Sequence, residues 1–296
     1  MWGVYDQRFV KLKIKDLKNA FTTQLSDVYP SEEIESFFTI LSEYFLNYTR
    51  LETVLHADVS LSEENIKHFE NAISRLKKHE PIQYICGETE FYSLPFKVDK
   101  HTLIPRPETE ELVQWIIDDE NKTHKRSKTL LDIGTGSGCI AIALATNLKD
   151  LNVSALDFSP KALDIAHKNS VVNSVKVNFI ELDILDAQTL LQQYDIIVSN
   201  PPYVRNLEKP NMRSNVLEYE PRLALFVSDK DPLLYFRKIA GLAKEHLTSN
   251  GRLYLEINEY LSDELKELLE IEGFVNIEVR KDIFGKDRMI KCSVHE

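Results

Sequence analysis

The chain predicts an α/β protein: a doubly wound, mostly parallel sheet, with a small helical domain at its N-terminus and a β-hairpin between the two. Three observations carry this. From residue 129 onward, short apolar runs alternate with helical patterns, the order that βαβ units produce. A glycine cluster, LDIGTGSG (131–138), stands where the first of those strands passes into its helix. No glycine occurs between Gly3 and Gly87, and apolar residues in that stretch recur at helical spacing.

The totals agree. At 296 residues the chain has room for about two domains. The expected division is a helical domain over 1–82, a hairpin linker over 83–104 and a sheet domain over 105–296. Apolar content of 43% and charged content of 28% are those of a globular protein with a sizeable core. Cys86, Cys139 and Cys292 are odd in number and show no CxxC spacing. Reduced thiols and a cytoplasmic protein are expected, with neither a disulfide framework nor a metal site. The N-terminus, MWGVYDQRFVKLKIK, lacks the apolar run of a signal peptide. The longest apolar run, CIAIALA (139–145), is far too short to span a membrane. Net charge is −11, and residues 1–90 hold ten Lys/Arg against fifteen Asp/Glu. That balance argues against a protein that grips nucleic-acid phosphates. KLKIKDLK (11–18) is a local basic cluster, read as the solvated face of a first helix before a docking patch for an acidic partner.

In order along the chain, residues 15 to about 80 read as helices. Ile34, Phe37, Phe38, Leu41, Tyr44 and Phe45 follow Ser31, an expected N-cap; Ile66, Phe69, Ile73 and Leu76 follow Ser62. Pro81 closes the set. Residues 84–104 partly alternate apolar and polar residues, with a turn near Ser93–Pro95, and read as the hairpin. PRPETEELVQWII (105–117) opens a helix with Pro107 and glutamates in its first turn. TLLDIG, NVSALD, VNFIELD, YDIIVSN and GRLYLEI read as strands, and SGCIAIALATNL and SPKALDIAHKNSV as helices, the latter capped by Ser159 with Pro160 at its first position. FVNIEVRKD and RMIKCSV read as a closing hairpin.

The glycine loop admits three readings. A P-loop needs Lys-Ser/Thr after its last glycine, and Cys139–Ile140 stand there instead. A dinucleotide fingerprint needs a sixth-position glycine, and position 139 is Cys. What remains is the GxGxG loop of S-adenosylmethionine enzymes, held by Gly134, Thr135, Gly136, Ser137 and Gly138. The next strand ends in Asp157, placed to accept hydrogen bonds from both ribose hydroxyls of an adenosine. Asp183 is expected to end the third strand and meet the adenine amino group, with Ile184 packing on the ring. Strand-end acids are also common as caps and turn residues. All these positions fall at the carboxyl ends of strands, where open α/β sheets bind ligands.

IVSNPPYV (197–204) raises a separate question: an apolar strand stops in an amide fused to two prolines and a tyrosine. A planar nitrogen conjugated to a carbonyl or ring is a poor nucleophile. Methylating it calls for acceptors that hold its N–H groups and aim it. Asn200 offers a side-chain carbonyl, and Pro201 a backbone carbonyl on a segment stiffened by Pro202. Tyr203 offers an aromatic face as a lid. Such a set gives near-attack geometry and stabilises charge developing on nitrogen. An ordinary Asn-Pro turn accounts for Asn200 and one proline only. Asn200, Pro201 and Tyr203 are the expected catalytic residues, and Asn200 to Tyr203 are expected to bind the acceptor.

Over nearly its whole length the sequence resembles the protein-(glutamine-N5) methyltransferases that modify class I peptide-chain release factors. The marks are QYICGETEFYSLPFKV (83–98), LIPRPETEELV (103–113), LDIGTGSGCIAIALA (131–145), IVSNPPYV (197–204), YEPRLAL (219–225) and FGKDR (284–288). NPPY alone is shared with amino-methylating DNA and RNA enzymes; PRPETE upstream of the glycine loop is more specific. The resemblance implies a Rossmann-like methyltransferase fold and S-adenosylmethionine as methyl donor, and it implies that Asn200 also touches that cofactor. It implies, as acceptor, the glutamine of a Gly-Gly-Gln loop in a release factor, docked by the helical domain. Members of that family often carry an aromatic residue where this chain has Ile184. Two rivals stand beside this reading: methyl transfer to a ribosomal-protein glutamine or a nucleic-acid amino group, and a non-catalytic binding module. No nucleic-acid or membrane partner is expected.

Overall fold

A computed structural model of the chain describes residues 12–122 and 128–294. Lys11, the start of the basic cluster, and residues 1–11 of the N-terminal segment read for a signal peptide lie outside these. The chain divides into two compact units after Cys86.

The first unit is helical: α1 (Ile14–Leu25), α2 (Ser31–Leu46), α3 (Arg50–Leu55), α4 (Glu63–Leu76) and α5 (Ile82–Cys86). Phe21, Phe38 and Phe69 meet at its centre with ring centroids 5.4–6.3 Å apart, each fully buried. Ser62 caps α4, its Oγ accepting from the Asn65 amide at 3.1 Å. Ser31 does not cap α2. Pro30 occupies the N-cap position, its ring fixing φ at −66° before the first turn, so Ser31 is already helical. Tyr44, expected on the apolar face, is exposed, while Phe37 and Phe45 pack at the core edge. The basic cluster is a solvated face: Lys13 and Lys15 pair with Asp58, and Lys18 with Glu35.

The second unit opens with a hairpin shorter than the expected 84–104, β1 (Glu88–Phe91) and β2 (Leu94–Lys97). Its two-residue turn places Tyr92 and Ser93 at positive φ, 51° and 59°, the geometry that matches strand twist. Residues 84–86 finish α5 instead, because Ile85 and Cys86 complete the helical core. Nor is the hairpin a free linker. Phe91 and Phe96 are buried with Leu112 and Trp115, and its backbone is clamped by Asn169.

The remaining elements are α6 (Pro107–Asn121), β3 (Lys128–Ile133), α7 (Cys139–Asn147), β4 (Leu151–Asp157), α8 (Pro160–Val172), β5 (Val177–Glu181), β6 (Tyr194–Ser199), β7 (Val204–Arg205), a 3₁₀ turn (Asn206–Asn211), α9 (Ser214–Tyr219), α10 (Arg222–Leu225), β8 (Phe226–Val227), α11 (Leu234–His246), β9 (Leu247–Glu256), α12 (Ser262–Ile271), β10 (Val275–Lys281) and β11 (Asp287–Ser293). Seven strands form one sheet in the order β10-β11-β9-β6-β3-β4-β5. β9, β6, β3, β4 and β5 run parallel; β11 is antiparallel to both its neighbours. Side chains alternate across this sheet. Leu131, Ile133 and Ile197 face α11 and α12, while Leu130, Ile196 and Val198 face α6 and α7. Both faces are covered, which is why these strands read as continuous apolar runs. The chain builds outward from β3 to β5, then returns to lay β6 on the other side of β3. That reversal is the topological switch point, and it opens a crevice at the strands' carboxyl ends.

No helix among the described residues is long and apolar enough to cross a membrane.

Candidate active site

The crevice is a cavity of about 410 Å³ lined by Gly134, Gly136, Asp157, Asp183, Ile184, Asn200, Pro201 and Pro202 among others. The two sequence motifs therefore meet across one space. Thr135, Ser137, Gly138 and Tyr203 do not line it.

The glycine loop follows β3 with Gly134, Gly136 and Gly138 at φ of +73°, +55° and +82°. A Cβ built on Gly134 or Gly136 meets nothing within 4 Å, so the loop's cavity side is open. At Gly138 the same atom would stand 3.0 Å from Ile142 Cδ1 and 3.1 Å from Ala166 Cβ. Gly138 serves helix packing rather than ligand approach. The hydroxyl of Thr135 turns down to donate to Asp132 Oδ2 at 2.6 Å, and the Ser137 carbonyl accepts from Asn169 Nδ2 at 2.8 Å. Both residues build the loop.

Asp157 ends β4 and is buried. Its Oδ2 accepts from the Gly136 amide at 2.8 Å and its Oδ1 from the Ser159 amide at 2.9 Å. Burial raises its pKa, against the pull of those amides. One carboxylate thus braces the loop while facing the cavity, and each oxygen keeps a lone pair for a further donor. Asp183 stands two residues beyond β5, which stops at Glu181 rather than running on as expected; the Leu182 amide still donates to the Asp157 carbonyl at 3.0 Å, one step past the last pair, Asp157 and Glu181. Asp183 Oδ1 accepts from the Leu185 amide, and Ile184 is buried against the wall.

Asp132, in β3 beneath the loop, is a residue the sequence reading passed over. It is fully buried, its Oδ1 has no hydrogen bond among the described residues, and burial pushes its pKa up to about 7. Open backbone at Gly134 and Gly136, the Asp157 carboxylate facing the cavity and the apolar side chain of Ile184 on its wall fit S-adenosylmethionine, whose sugar and ring find suitable chemistry there.

Asn200 follows β6 directly. Its Nδ2 donates to Thr109 Oγ1 at 3.2 Å, leaving Oδ1 as the accepting end. Thr109, in the first turn of α6, donates in turn to Glu256 Oε2 at 2.6 Å. The Tyr203 hydroxyl donates to Glu256 Oε1 at 2.8 Å, and the Tyr203 carbonyl accepts from Asn258 Nδ2 at 3.0 Å. The Tyr203 hydroxyl is thus anchored on a buried carboxylate, while its half-buried ring follows Pro202, which lines the cavity. Burial raises the pKa of both Tyr203 and Glu256.

Two flanking segments also reach the cavity, 100–103 and 221–224. Buried Glu220 ties them together, accepting from Arg106 Nη2 at 2.5 Å and from the Ile104 amide at 3.2 Å. Thr109, Glu220 and Glu256 were missed as individuals. The available signal was that two sit inside PRPETE and YEPRLAL, and that Glu256, like Asp157, is an acid ending an apolar strand.

With this geometry in place, comparisons with known proteins are informative. Residues 16–87 match the family model described as the PrmC N-terminal domain, and residues 112–221 the methyltransferase small domain. The chain is 53% identical to the release factor glutamine methyltransferase of Flavobacterium psychrophilum, over 95% of this chain and 99% of that one. It is 45% identical to the enzyme of the same name from Bacteroides thetaiotaomicron, over 91% and 96%. Among solved structures, the hMettl16 catalytic domain superposes with a TM-score of 0.53 at 17% identity, over 82% of this chain and 86% of that one, a likeness of fold. Whole-length identity of this order, joined to a glycine loop and an Asn-Pro-Pro-Tyr turn across one cavity, places the chain in the release factor glutamine methyltransferases, a family of S-adenosylmethionine-dependent enzymes.

Proposed function

We propose that this chain methylates the side-chain amide nitrogen, N5, of the glutamine in the Gly-Gly-Gln loop of class I peptide-chain release factors. The observation that carries this is the state of Asn200. Its N–H end is committed to Thr109, so the end left for a ligand accepts and does not donate. A glutamine amide presents two N–H donors, the complement of Asn200 Oδ1 and the Pro201 carbonyl. Held by both, the nitrogen is positioned and the positive charge it gains in transfer is stabilised. When bound, S-adenosylmethionine supplies the sulfonium methyl group. Transfer of that methyl would leave the bonding pair on sulfur and require the amide nitrogen to give up one proton, with Asn200 Oδ1 and the Pro201 carbonyl holding the nitrogen meanwhile.

The acceptor geometry alone also suits a nucleobase amino group. The acidic balance of the chain, net charge −11, favours a protein acceptor. So does a complete helical unit beside a complete catalytic one, since cofactor chemistry needs no such unit. In this reading residues 1–82 dock the release factor, 105–296 carry the reaction, and the chain works in the cytoplasm.

The test is mass spectrometry of an intact release factor after incubation with the protein and cofactor. One added methyl on the Gly-Gly-Gln glutamine is expected. An unmodified glutamine, beside methylation of a ribosomal protein or of nucleic acid with the steep salt dependence of phosphate contacts, would overturn the proposal.

A further inference from the structure

We infer that Thr109 and Glu256 are positioning residues: together they form a one-way hydrogen-bond relay that decides which end of the Asn200 amide faces the acceptor. The inference rests on the proposed reaction and extends it to groups that touch neither substrate nor cofactor.

The physical problem is that an asparagine side chain has two ends of equal size and opposite character. Turned one way, Asn200 offers the carbonyl that an incoming N–H requires. Turned the other, it offers N–H to N–H, and the acceptor is repelled. Nothing in the shape of the side chain selects between them. The selection comes from behind. Glu256 is buried to 2% exposure and receives two hydroxyl donors, Thr109 Oγ1 on Oε2 at 2.6 Å and Tyr203 Oη on Oε1 at 2.8 Å. A carboxylate only accepts. Burial raises its pKa, and against that pull the two donors on its two oxygens and the charge of Arg288 favour the ionised form. Thr109 has a single hydroxyl hydrogen, and Glu256 takes it. Toward Asn200, Thr109 can then only accept, so Asn200 must donate to it, as the 3.2 Å contact records. Oδ1 is left for the cavity by elimination. The polarity is therefore set by the carboxylate and transmitted through one hydroxyl; it does not depend on which amide atom is assigned as nitrogen.

The supporting frame is rigid. Thr109 lies in the first turn of α6 and is buried. Glu256 ends β9, beside β6, which carries Asn200. Arg288, whose Nη1 donates to the Ile257 carbonyl at 3.3 Å and whose Nε donates to Asp282 at 3.0 Å, fixes the end of that strand. With Thr109 and Glu256 buried and bonded to each other, turning the Asn200 amide round would set its carbonyl against the Thr109 oxygen, acceptor against acceptor.

Thr109→Val keeps the shape and removes the relay; Thr109→Ser keeps the hydroxyl and removes the methyl. Steady-state kinetics on an intact release factor are measured for both, for Glu256→Gln, and for the Thr109→Val/Glu256→Gln double variant. The relay predicts that Thr109→Val lowers kcat about 10-fold or more, with KM for the release factor within about threefold. Thr109→Ser restores kcat to within about threefold of the parent. Glu256→Gln lowers kcat by itself and adds nothing in the Thr109→Val background, because both act through the same hydroxyl. Wild-type kcat in Thr109→Val, or a loss in Thr109→Ser equal to that in Thr109→Val, would overturn the relay. Multiplying losses in the double variant would route Glu256 through Tyr203 and overturn it as well. Should Thr109→Val fail to fold, Glu256→Gln carries the test: wild-type kcat there refutes the inference. A wild-type protein that modifies no release factor would defeat the proposed function and the relay together, a result distinct from an active parent with active variants.

Discussion

Gly138→Ala is the substitution whose consequence is best worked from the coordinates. Gly138 is the N-cap of α7 at φ +82°, a region that costs an L-residue about 1–2 kcal/mol. Its new Cβ would stand 3.0 Å from Ile142 Cδ1 and 3.1 and 3.4 Å from Ala166 Cβ and Cα. Ile142 can yield by a rotamer adjustment, but Ala166 is fully buried and has no rotamer to change. Relief therefore requires α7 and α8 to separate slightly, an overpacking cost of about 1–3 kcal/mol. The sum is about 2–5 kcal/mol, a large share of the stability of an ordinary domain. Gly136→Ala is the control. At φ +55° with open space around its Cβ, it carries only the conformational cost, about 1–2 kcal/mol. Its methyl instead enters the cofactor space. Urea unfolding without cofactor should place Gly138→Ala at least about 1 kcal/mol below Gly136→Ala at unchanged m-value. Titration of cofactor into folded protein should rank them the other way, with Gly136→Ala the weaker binder. Equal unfolding midpoints, or a Gly136→Ala that binds like the parent, would refute the division of labour drawn between these glycines.

Asp157→Ala should weaken S-adenosylmethionine binding by about 1.5–3 kcal/mol, the worth of a hydrogen bond to a charged group, measured by calorimetry; parental affinity would remove Asp157 from the cofactor site. Asn200→Ala should lower single-turnover methyl transfer on the order of 10²-fold, as loss of one preorganised electrostatic group does; a near-parental rate would refute its role. The cofactor-free protein should lose stability as pH rises between about 4 and 7. Asp132 keeps its proton in the folded state up to about 7, whereas the unfolded chain releases it near 3.8, so the unfolded state binds fewer protons across that window. The slope is at most about 1.4 kcal/mol per pH unit for this one group. Urea unfolding across pH 5–8 should give a shallower decline for Asp132→Asn; identical slopes would show that Asp132 does not titrate there.

The parts legible in the sequence are those whose information is local. The alternation of βα units gave the parallel sheet, and the placement of the glycine loop, Asp157 and Asn200 at strand ends was legible because each closes or directly follows an apolar run. Ser159 before Pro160 read correctly as a cap, its Oγ accepting from the Ala162 amide. What escaped depended on distant partners. Thr109 and Glu256 are 147 positions apart, and nothing near either residue announces the other. The anchoring of the Tyr203 hydroxyl on Glu256 was not legible either, since the two residues are 53 positions apart. The hairpin was drawn too long because Ile85 and Cys86 suit a strand by composition, yet helical-core burial claimed them. Tyr92 and Ser93 carry no glycine to signal their left-handed turn. Ser31 lost the capping position to a proline whose fixed φ already supplied the entry geometry.

Asn169 carries a further consequence. This single buried side chain accepts from the Lys97 amide at 2.6 Å and donates Nδ2 to the Lys97 carbonyl at 3.0 Å and the Ser137 carbonyl at 2.8 Å. The hairpin and the glycine loop thus share one fastener, and their freedom to open is a common property. Whatever quiets the loop should also quiet the hairpin, and the coupling between them has the same size read from either side. In amide exchange, Lys97 should then gain protection when S-adenosylmethionine is added, although it lies outside the cavity wall; with Asn169 replaced by leucine, the loop amides should respond to cofactor while Lys97 stays indifferent.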